Sequence, residues 1–126
     1  MRAVDTNVLV RIITRDDVRQ AAAADRWVEN GAWVSILALA ETTWVLSAVY
    51  ERGPTEIAAG VEMLLNHTEL TLQDSDVVAA ALRDFRKRPA LGFSDYLLVE
   101  LARKAGHLPL GTFDGDLSKL DGAEKL

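Results

Sequence analysis

The first strand-to-helix junction of the chain has the sequence Arg2-Ala3-Val4-Asp5-Thr6-Asn7-Val8-Leu9-Val10-Arg11-Ile12-Ile13-Thr14. Residues 2–4 predict a short buried strand that ends at Asp5. Apolar residues then recur at helical spacing through residues 6–14. A strand that passes directly into a helix is the repeating unit of α/β folds, so this segment predicts such a fold if the alternation continues.

The alternation continues to the end of the chain. Strands that alternate with helices predict a parallel sheet covered by helices on both faces. We expect strands at residues 32–35, 69–72 and 108–113, with an edge strand at 123–126. We expect helices at about residues 17–29, 36–51, 55–66, 75–88 and 94–104, and a single helical turn at 116–120.

The composition is that of an ordinary soluble domain. The chain has 126 residues, which suits one domain over residues 1–126, and it has no cysteine. The lack of cysteine excludes disulfides, thiolate nucleophiles and zinc sites built on sulfur, and it fits a reducing cytoplasm. No apolar run approaches the roughly 18 residues that a membrane span needs. The net charge of −5 argues against non-specific nucleic-acid binding, but less against an enzyme whose metal ions supply positive charge.

Carboxylates stand at positions where α/β folds bind ligands. Asp5 follows the first strand and Asp114 follows the strand at 108–113, and ligands in such folds bind beyond the carboxyl ends of the strands. Asp95 falls in the first turn of a helix, after the expected N-cap Ser94, where the helix dipole favours a negative charge. Glu41 lies in a helix that is apolar nearly all round, which predicts a buried helix and a costly lone glutamate.

Each acid also has an ordinary structural explanation. Asp5 could cap the following helix, Asp95 could be a favourable first-turn acid, and Asp114 and Asp116 could be turn residues around Gly115. Together, however, four or five carboxylates at one end of a sheet repel each other. Ligation by oxygen alone suits one or two Mg²⁺ or Mn²⁺ ions, which activate water and stabilise charge on a phosphoryl group.

Four short motifs surround these acids. They are Val4-Asp5-Thr6-Asn7-Val8-Leu9, Ala40-Glu41, Phe93-Ser94-Asp95-Tyr96-Leu97-Leu98 and Thr112-Phe113-Asp114-Gly115-Asp116-Leu117. At these residues the sequence resembles the PIN-domain ribonucleases, and it is most similar to the VapC toxins of prokaryotic toxin–antitoxin pairs. The resemblance covers essentially the whole chain, with the motifs in the family's order.

The resemblance implies a fold, an activity and partners. The fold would be a three-layer α/β/α sandwich with a short parallel sheet. The activity would be Mg²⁺- or Mn²⁺-dependent endonucleolytic cleavage of RNA that blocks translation. The partners would be a small VapB-like antitoxin, whose tail covers the active site, and a second copy of the chain in a homodimer.

The resemblance also assigns roles to individual residues. The metal ligands, directly or through water, would be Asp5, Glu41, Asp95 and Asp114, with Asp116 as a secondary ligand. The supporting residues would be Thr6, Asn7 and Thr112, which can hydrogen-bond an acid and fix its orientation. Local turn and cap bonding is the alternative for these three.

Basic and apolar residues suggest further surfaces. The candidates for contact with the RNA backbone are Arg15, Arg86, Lys87 and Arg88, and a solvated helix face is the alternative. The apolar stretch from Trp44 to Tyr50 is a candidate for dimerisation or antitoxin docking. The sequence does not name the RNA.

Two other functions remain open. Phosphotransferases that resemble haloacid dehalogenases also use an aspartate at the end of a first strand, but they have a second acid two positions later, where this chain has Asn7. A non-catalytic protein-binding module is the other alternative, and the complete set of acids argues against it.

Overall fold

Short parallel strands and six helices alternate along the chain in a computed structural model that describes all residues, 1–126. Contacts divide the chain into two compact units, Met1–Ser75 and Asp76–Leu126. The first unit contains a three-stranded sheet and the second a two-stranded one. The expected α/β class with a short parallel sheet is confirmed.

The sheet of the first unit has the strand order β1-β2-β3. Strands β1 (Arg2–Ala3), β2 (Ala32–Val34) and β3 (Leu70–Leu72) all run parallel, and Ala32 pairs with both Arg2 and Leu70. Four helices connect or follow these strands: α1 (Thr6–Thr14), α2 (Val18–Val28), α3 (Ile36–Ala48) and α4 (Pro54–Asn66).

Side chains at the helix starts explain where these helices begin. The carboxylate of Asp17 accepts a hydrogen bond from the N–H of Gln20 at 3.0 Å, and the hydroxyl of Ser35 accepts one from the N–H of Ala38 at 3.0 Å. These bonds satisfy N–H groups that have no partner inside the helix. Helix α4 begins instead with Pro54, whose missing N–H costs nothing at a first helical position.

The core of the first unit lies between the helices and the sheet. Helix α1 packs against α2 and α3, and α3 packs against α4. Leu9, Leu46 and Leu64 have no exposed surface. Truncating a leucine in such a position to alanine costs about 2–5 kcal/mol. Leu9 therefore anchors α1, which Asp5 caps, and Leu46 anchors α3, which carries Glu41.

The second unit has two long helices and a parallel strand pair. Helix α5 (Ser75–Lys87) begins at the last residue of the first unit and α6 (Phe93–Ala105) follows. Strand β4 (Leu110–Thr112) pairs with β5 (Ala123–Lys125), and a 3₁₀ turn (Leu117–Lys119) lies between them. Phe85 meets the rings of Phe93 and Tyr96 edge-on, with centroids 5.6 Å apart in both pairs.

Two helices differ from the sequence-based expectation. Helix α3 ends at Ala48 rather than at residue 51, and one side of it is open, since Leu37 is 74% and Trp44 65% exposed. Its apolar residues face every direction, but its neighbours cover only one side. The helix expected from residue 94 begins instead at Phe93, with Gly92 and not Ser94 as N-cap. Starting there lets Phe93 be buried.

None of the helices combines the length and the apolar character that crossing a membrane requires.

Candidate active site

Asp5 stands at the junction between β1 and α1. Its Oδ1 atom accepts a hydrogen bond from the backbone N–H of Val8 at 3.1 Å, and the side chain is exposed. The cap interpretation of Asp5 is therefore confirmed. It does not exclude a second role, because a carboxylate has two oxygens and only Oδ1 is used by the cap.

A hydroxyl holds Glu41 beside this junction. Thr6 Oγ1 donates a hydrogen bond to Glu41 Oε2 at 2.6 Å, which joins α1 to α3. Glu41 is exposed, so the expectation of a glutamate buried among apolar neighbours is wrong. The Thr6 hydroxyl orients the carboxylate instead. The side chain of Asn7 is also exposed and lines a shallow groove beside α2.

In the second unit, Asp114 is held by its own turn. The hydroxyl of Thr112 accepts a hydrogen bond from the Asp114 N–H at 3.0 Å. Asp114 Oδ1 in turn accepts hydrogen bonds from the N–H groups of Asp116 at 2.8 Å and of Leu117 at 3.2 Å. The carboxylate thus starts the 3₁₀ turn, and its orientation is set by the backbone.

Asp95 lies close enough to Asp114 to respond to its charge. Burial raises the pKa of the half-buried Asp95 carboxyl, the negative charge of Asp114 raises it further, and a hydrogen bond from the Gly92 backbone acts in the opposite direction. Ionising both acids therefore costs free energy. A cation placed between them would remove this cost.

Asp116 differs from the other acids of its unit. Its carboxylate is exposed and lies 3.8 Å from the ammonium group of Lys119. The Asp116 carboxylate makes no capping hydrogen bond to the 3₁₀ turn, whereas the Asp114 carboxylate accepts one from the N–H of Leu117. Its side chain is therefore less firmly oriented than that of Asp114.

The donor set fits a hard divalent cation in its chemistry. No group of three or more histidine, aspartate or glutamate side chains is arranged to enclose a metal ion. The candidate ligands are all carboxylates, which Mg²⁺ and Mn²⁺ prefer. Mg²⁺ usually keeps several water molecules and needs only one or two carboxylates, so an open arrangement suits it.

Residues 2–123 match the PIN domain family. The chain belongs to this family. A comparison with curated proteins finds no match. Membership of the PIN family suggests a nuclease, which agrees with acids that could act on a phosphodiester through bound metal.

The basic residues proposed as RNA contacts have different surroundings in this PIN domain. Arg15 grips Asp25 with two hydrogen bonds, at 2.6 and 3.2 Å, and this pairing raises the pKa of Arg15 and lowers that of Asp25. Arg86, Lys87 and Arg88 are exposed at the end of α5. Their contact with RNA stays a prediction, as does that of Arg15, which would have to leave Asp25.

The structure also reveals an acid pair that the sequence did not suggest. Glu100 on α6 is hydrogen-bonded to Asp84 on α5, beside Arg103. Neither residue belongs to one of the four motifs, and they are 16 positions apart, so no local sequence pattern predicts their contact. The only available signal was that two amphipathic helices follow each other and must pack.

Proposed function

We propose that this PIN domain, acting as one domain over residues 1–126, is a metal-dependent endoribonuclease. Its metal ligands, directly or through water, would be Asp5, Glu41, Asp95 and Asp114, with Asp116 as a secondary ligand. The observation that carries the proposal is the match of residues 2–123 to the PIN domain family. The chemistry of the acids supports it, because burial and then the negative charge of Asp114 raise the pKa of Asp95, and a cation would relieve that cost.

The chain's own residues would fix these carboxylates before the substrate arrives. Backbone N–H groups hold one oxygen of Asp5 and one oxygen of Asp114, and the Thr6 hydroxyl holds one oxygen of Glu41. The second oxygen of each group remains for a ligand. Groups that are already oriented lose little entropy when they bind, which favours both affinity and rate.

Mg²⁺ or Mn²⁺, as one or two ions, would supply a water of lowered pKa and positive charge for the phosphoryl group. This chemistry needs no cysteine, and the chain has none. It needs no histidine either. Of the two histidines, His67 uses its Nδ1 atom to accept a hydrogen bond from the N–H of Glu69 at 3.1 Å, a local loop bond.

We further propose that the chain is the toxin of a toxin–antitoxin pair with a VapB-like antitoxin, and that it forms a homodimer. The motifs described above support this, because they are most similar to those of VapC toxins. The exposed apolar side chains of α3 also support it. Leu37 and Trp44 lie on the same side of that helix as Glu41, so a partner covering them would also restrict access to the acid.

The first experiment tests the reaction. The purified chain, freed of any partner, is incubated with single-stranded and hairpin RNAs in Mg²⁺, in Mn²⁺ and in EDTA. We expect cleavage only with metal. Full activity in EDTA, or no cleavage across the whole RNA panel with either metal, would overturn the proposal. The 5′ ends of the fragments would identify the RNA and the cut site.

The second experiment tests the toxin proposal. Expressing the chain alone should arrest growth, and co-expressing the neighbouring small gene should relieve the arrest. The Asp95→Asn variant is the control, since it should accumulate without toxicity. Normal growth despite soluble wild-type protein would contradict the proposal.

A further inference from the structure

A groove of about 410 Å³ opens in the second unit, and none of the candidate metal ligands lines it. Helix α5 contributes Asp84 and Lys87, helix α6 contributes Val99 and Glu100, and the segment after the 3₁₀ turn contributes Leu120. Pockets for small ligands span about 300–1,000 Å³, so the groove has room for one small ligand.

The floor of the groove offers hydrogen-bond donors and acceptors side by side. The Glu100 side chain is only 11% exposed, and its Oε2 accepts a hydrogen bond from Arg103 Nε at 3.3 Å. Burial raises the pKa of Glu100, the hydrogen bond with Asp84 raises it further, and Arg103 acts in the opposite direction. Glu100 and Asp84 are therefore acceptors on the groove lining, and the guanidinium of Arg103 beside them is a donor.

The walls and the rim have a different chemistry. Val99 and Leu120 give the groove apolar sides. Lys87 and Arg88 lie exposed at one edge, and the side chain of Lys119 is 62% exposed at another. The groove therefore combines a nearly buried acid, two apolar side chains and an exposed rim on which Lys87, Arg88 and Lys119 outnumber Asp121.

We propose that this groove binds one nucleotide of the RNA strand, next to the nucleotide that is cut. The base would lie between Val99 and Leu120 with its polar edge on Glu100 and Asp84, and Lys87 and Lys119 would hold a phosphate. This inference rests on the proposed ribonuclease function and adds a site that selects a base.

The three parts of a nucleotide match the three parts of the groove. A bare inorganic anion would meet the acids of the floor, which repel it. A purely apolar ligand would cover charged and polar groups of the lining without giving them a hydrogen bond, which is unfavourable. A base has an apolar face and a polar edge, and its phosphate carries the negative charge that the rim attracts.

The groove borders the acid pair of the same unit. Lys119 lies 3.8 Å from Asp116, whose N–H donates to the carboxylate of Asp114. Tyr96, the residue after Asp95, lines the groove and donates its hydroxyl hydrogen bond to the carbonyl of Arg88. A strand whose phosphate lies at Asp95 and Asp114 would therefore place a neighbouring nucleotide near the groove.

The floor also predicts which bases fit. Carboxylates accept hydrogen bonds from the amino groups of bases, as they do from cytosine N4 in DNA. Guanine, adenine and cytosine carry an amino group, and uracil has none. We therefore expect uracil to bind about tenfold more weakly than the best of the other three, since a good base contact gives about 1–3 kcal/mol of discrimination.

The test separates base recognition from cleavage. The four nucleoside 5′-monophosphates and inorganic phosphate are each titrated into the full chain in EDTA, with amide NMR shifts as the readout. We expect shifts at Val99, Glu100 and Leu120, weakest for uridine monophosphate. Lys119→Ala should weaken all four nucleotides about equally, whereas Glu100→Gln should reduce the difference between uracil and the other bases.

Two control variants lie outside the groove, Glu124→Gln on β5 and Arg26→Ala on α2, and both residues are exposed. They should bind nucleotides as the wild type does. Thermal melts would report folding, and Lys119→Ala keeps the test valid if Glu100→Gln is unstable, because Lys119 is a surface residue.

Cleavage-site sequencing completes the test. Wild-type cuts should have a fixed base preference at one position beside the cut, and Glu100→Gln should relax it. The inference is overturned if inorganic phosphate shifts the same amides as strongly as the nucleotides do. It is also overturned if the chain cuts RNA while Glu100→Gln leaves the preferred base unchanged. Nucleotide binding in the groove without any RNA cleavage would support the pocket and contradict the proposed ribonuclease.

Discussion

Asp5 has two separable roles, and paired substitutions distinguish them. Its Oδ1 atom caps α1 by accepting from the N–H of Val8 at 3.1 Å, and its charge is proposed to bind metal. Asp5→Asn keeps an oxygen acceptor for the cap but removes the charge. Asp5→Ala removes both. Comparing the two variants therefore assigns stability to the cap and cleavage to the charge.

The size of the stability effect follows from the cap. Replacing an N-cap aspartate by alanine costs about 1 kcal/mol. For a domain of this length, that lowers the melting temperature by about 3–5 °C. Asp5→Asn should melt close to the wild type, because asparagine caps helices as well as aspartate does. Both variants should lose cleavage by more than the roughly 10–100-fold that the loss of an outer-shell partner costs.

Helix α2 offers a matched control. Asp17 caps it in the same way, accepting from the N–H of Gln20 at 3.0 Å, and has no proposed role in catalysis. Asp17→Ala should therefore lower the melting temperature about as much as Asp5→Ala and leave the cleavage rate intact. The assays are thermal melts in EDTA and RNA cleavage in Mn²⁺. Wild-type cleavage by Asp5→Asn would show that Asp5 is only a cap, and a melt of Asp5→Asn as low as that of Asp5→Ala would refute the cap argument.

Three further predictions concern the other acids. Since burial and Asp114 raise the pKa of Asp95 above its ordinary 3.8, ionising Asp95 destabilises the fold as pH rises past that value. Asp95→Asn should therefore have a higher melting temperature than the wild type at pH 7 in EDTA. The difference in melting temperature should shrink towards pH 3 and on adding Mg²⁺, and an equal difference at every pH would contradict this prediction. Thr6→Val removes the hydroxyl that holds Glu41 and should slow cleavage about 10–100-fold, which is less than the loss expected for Glu41→Gln. Thr6→Ser keeps a hydroxyl and should cleave at about the wild-type rate. Asp116→Asn should keep measurable cleavage but need a higher Mn²⁺ concentration. If Asp116→Asn is as inactive as Asp5→Asn, Asp116 is a primary ligand and not a secondary one.

Local signals in the sequence predicted the local structure well. Helix α1 spans Thr6–Thr14, as its periodicity and the cap at Asp5 indicate. Helix α6 ends at Gly106, which adopts the left-handed conformation with φ +80° that favours glycine. Such features depend on a few adjacent residues, so the amino-acid sequence alone predicts them.

The environment of Glu41 could not be predicted in this way. Helix α3 has apolar residues on every side, so the periodicity of its sequence does not predict which side faces solvent. That direction is set by α1 and α4, which pack on the opposite side. The hydrogen bond from Thr6 to Glu41 joins residues 35 positions apart, and only the packing of α1 on α3 brings them together.

The same local arrangement recurs at two of the candidate ligands. Asp5 and Asp114 each stand two residues after the last residue of a parallel strand, and the Oδ1 atom of each accepts a hydrogen bond from the N–H three residues on. Asp17 has the same cap but follows no strand, so the cap alone does not identify a site. A strand end fixes the backbone and a cap fixes the carboxylate, so together they hold a negative charge in one place. Aspartate satisfies both conditions. A glutamate, one methylene longer, would carry its charge past the cap, and asparagine would keep the cap without the charge. Geometry and charge together therefore account for aspartate at these two positions.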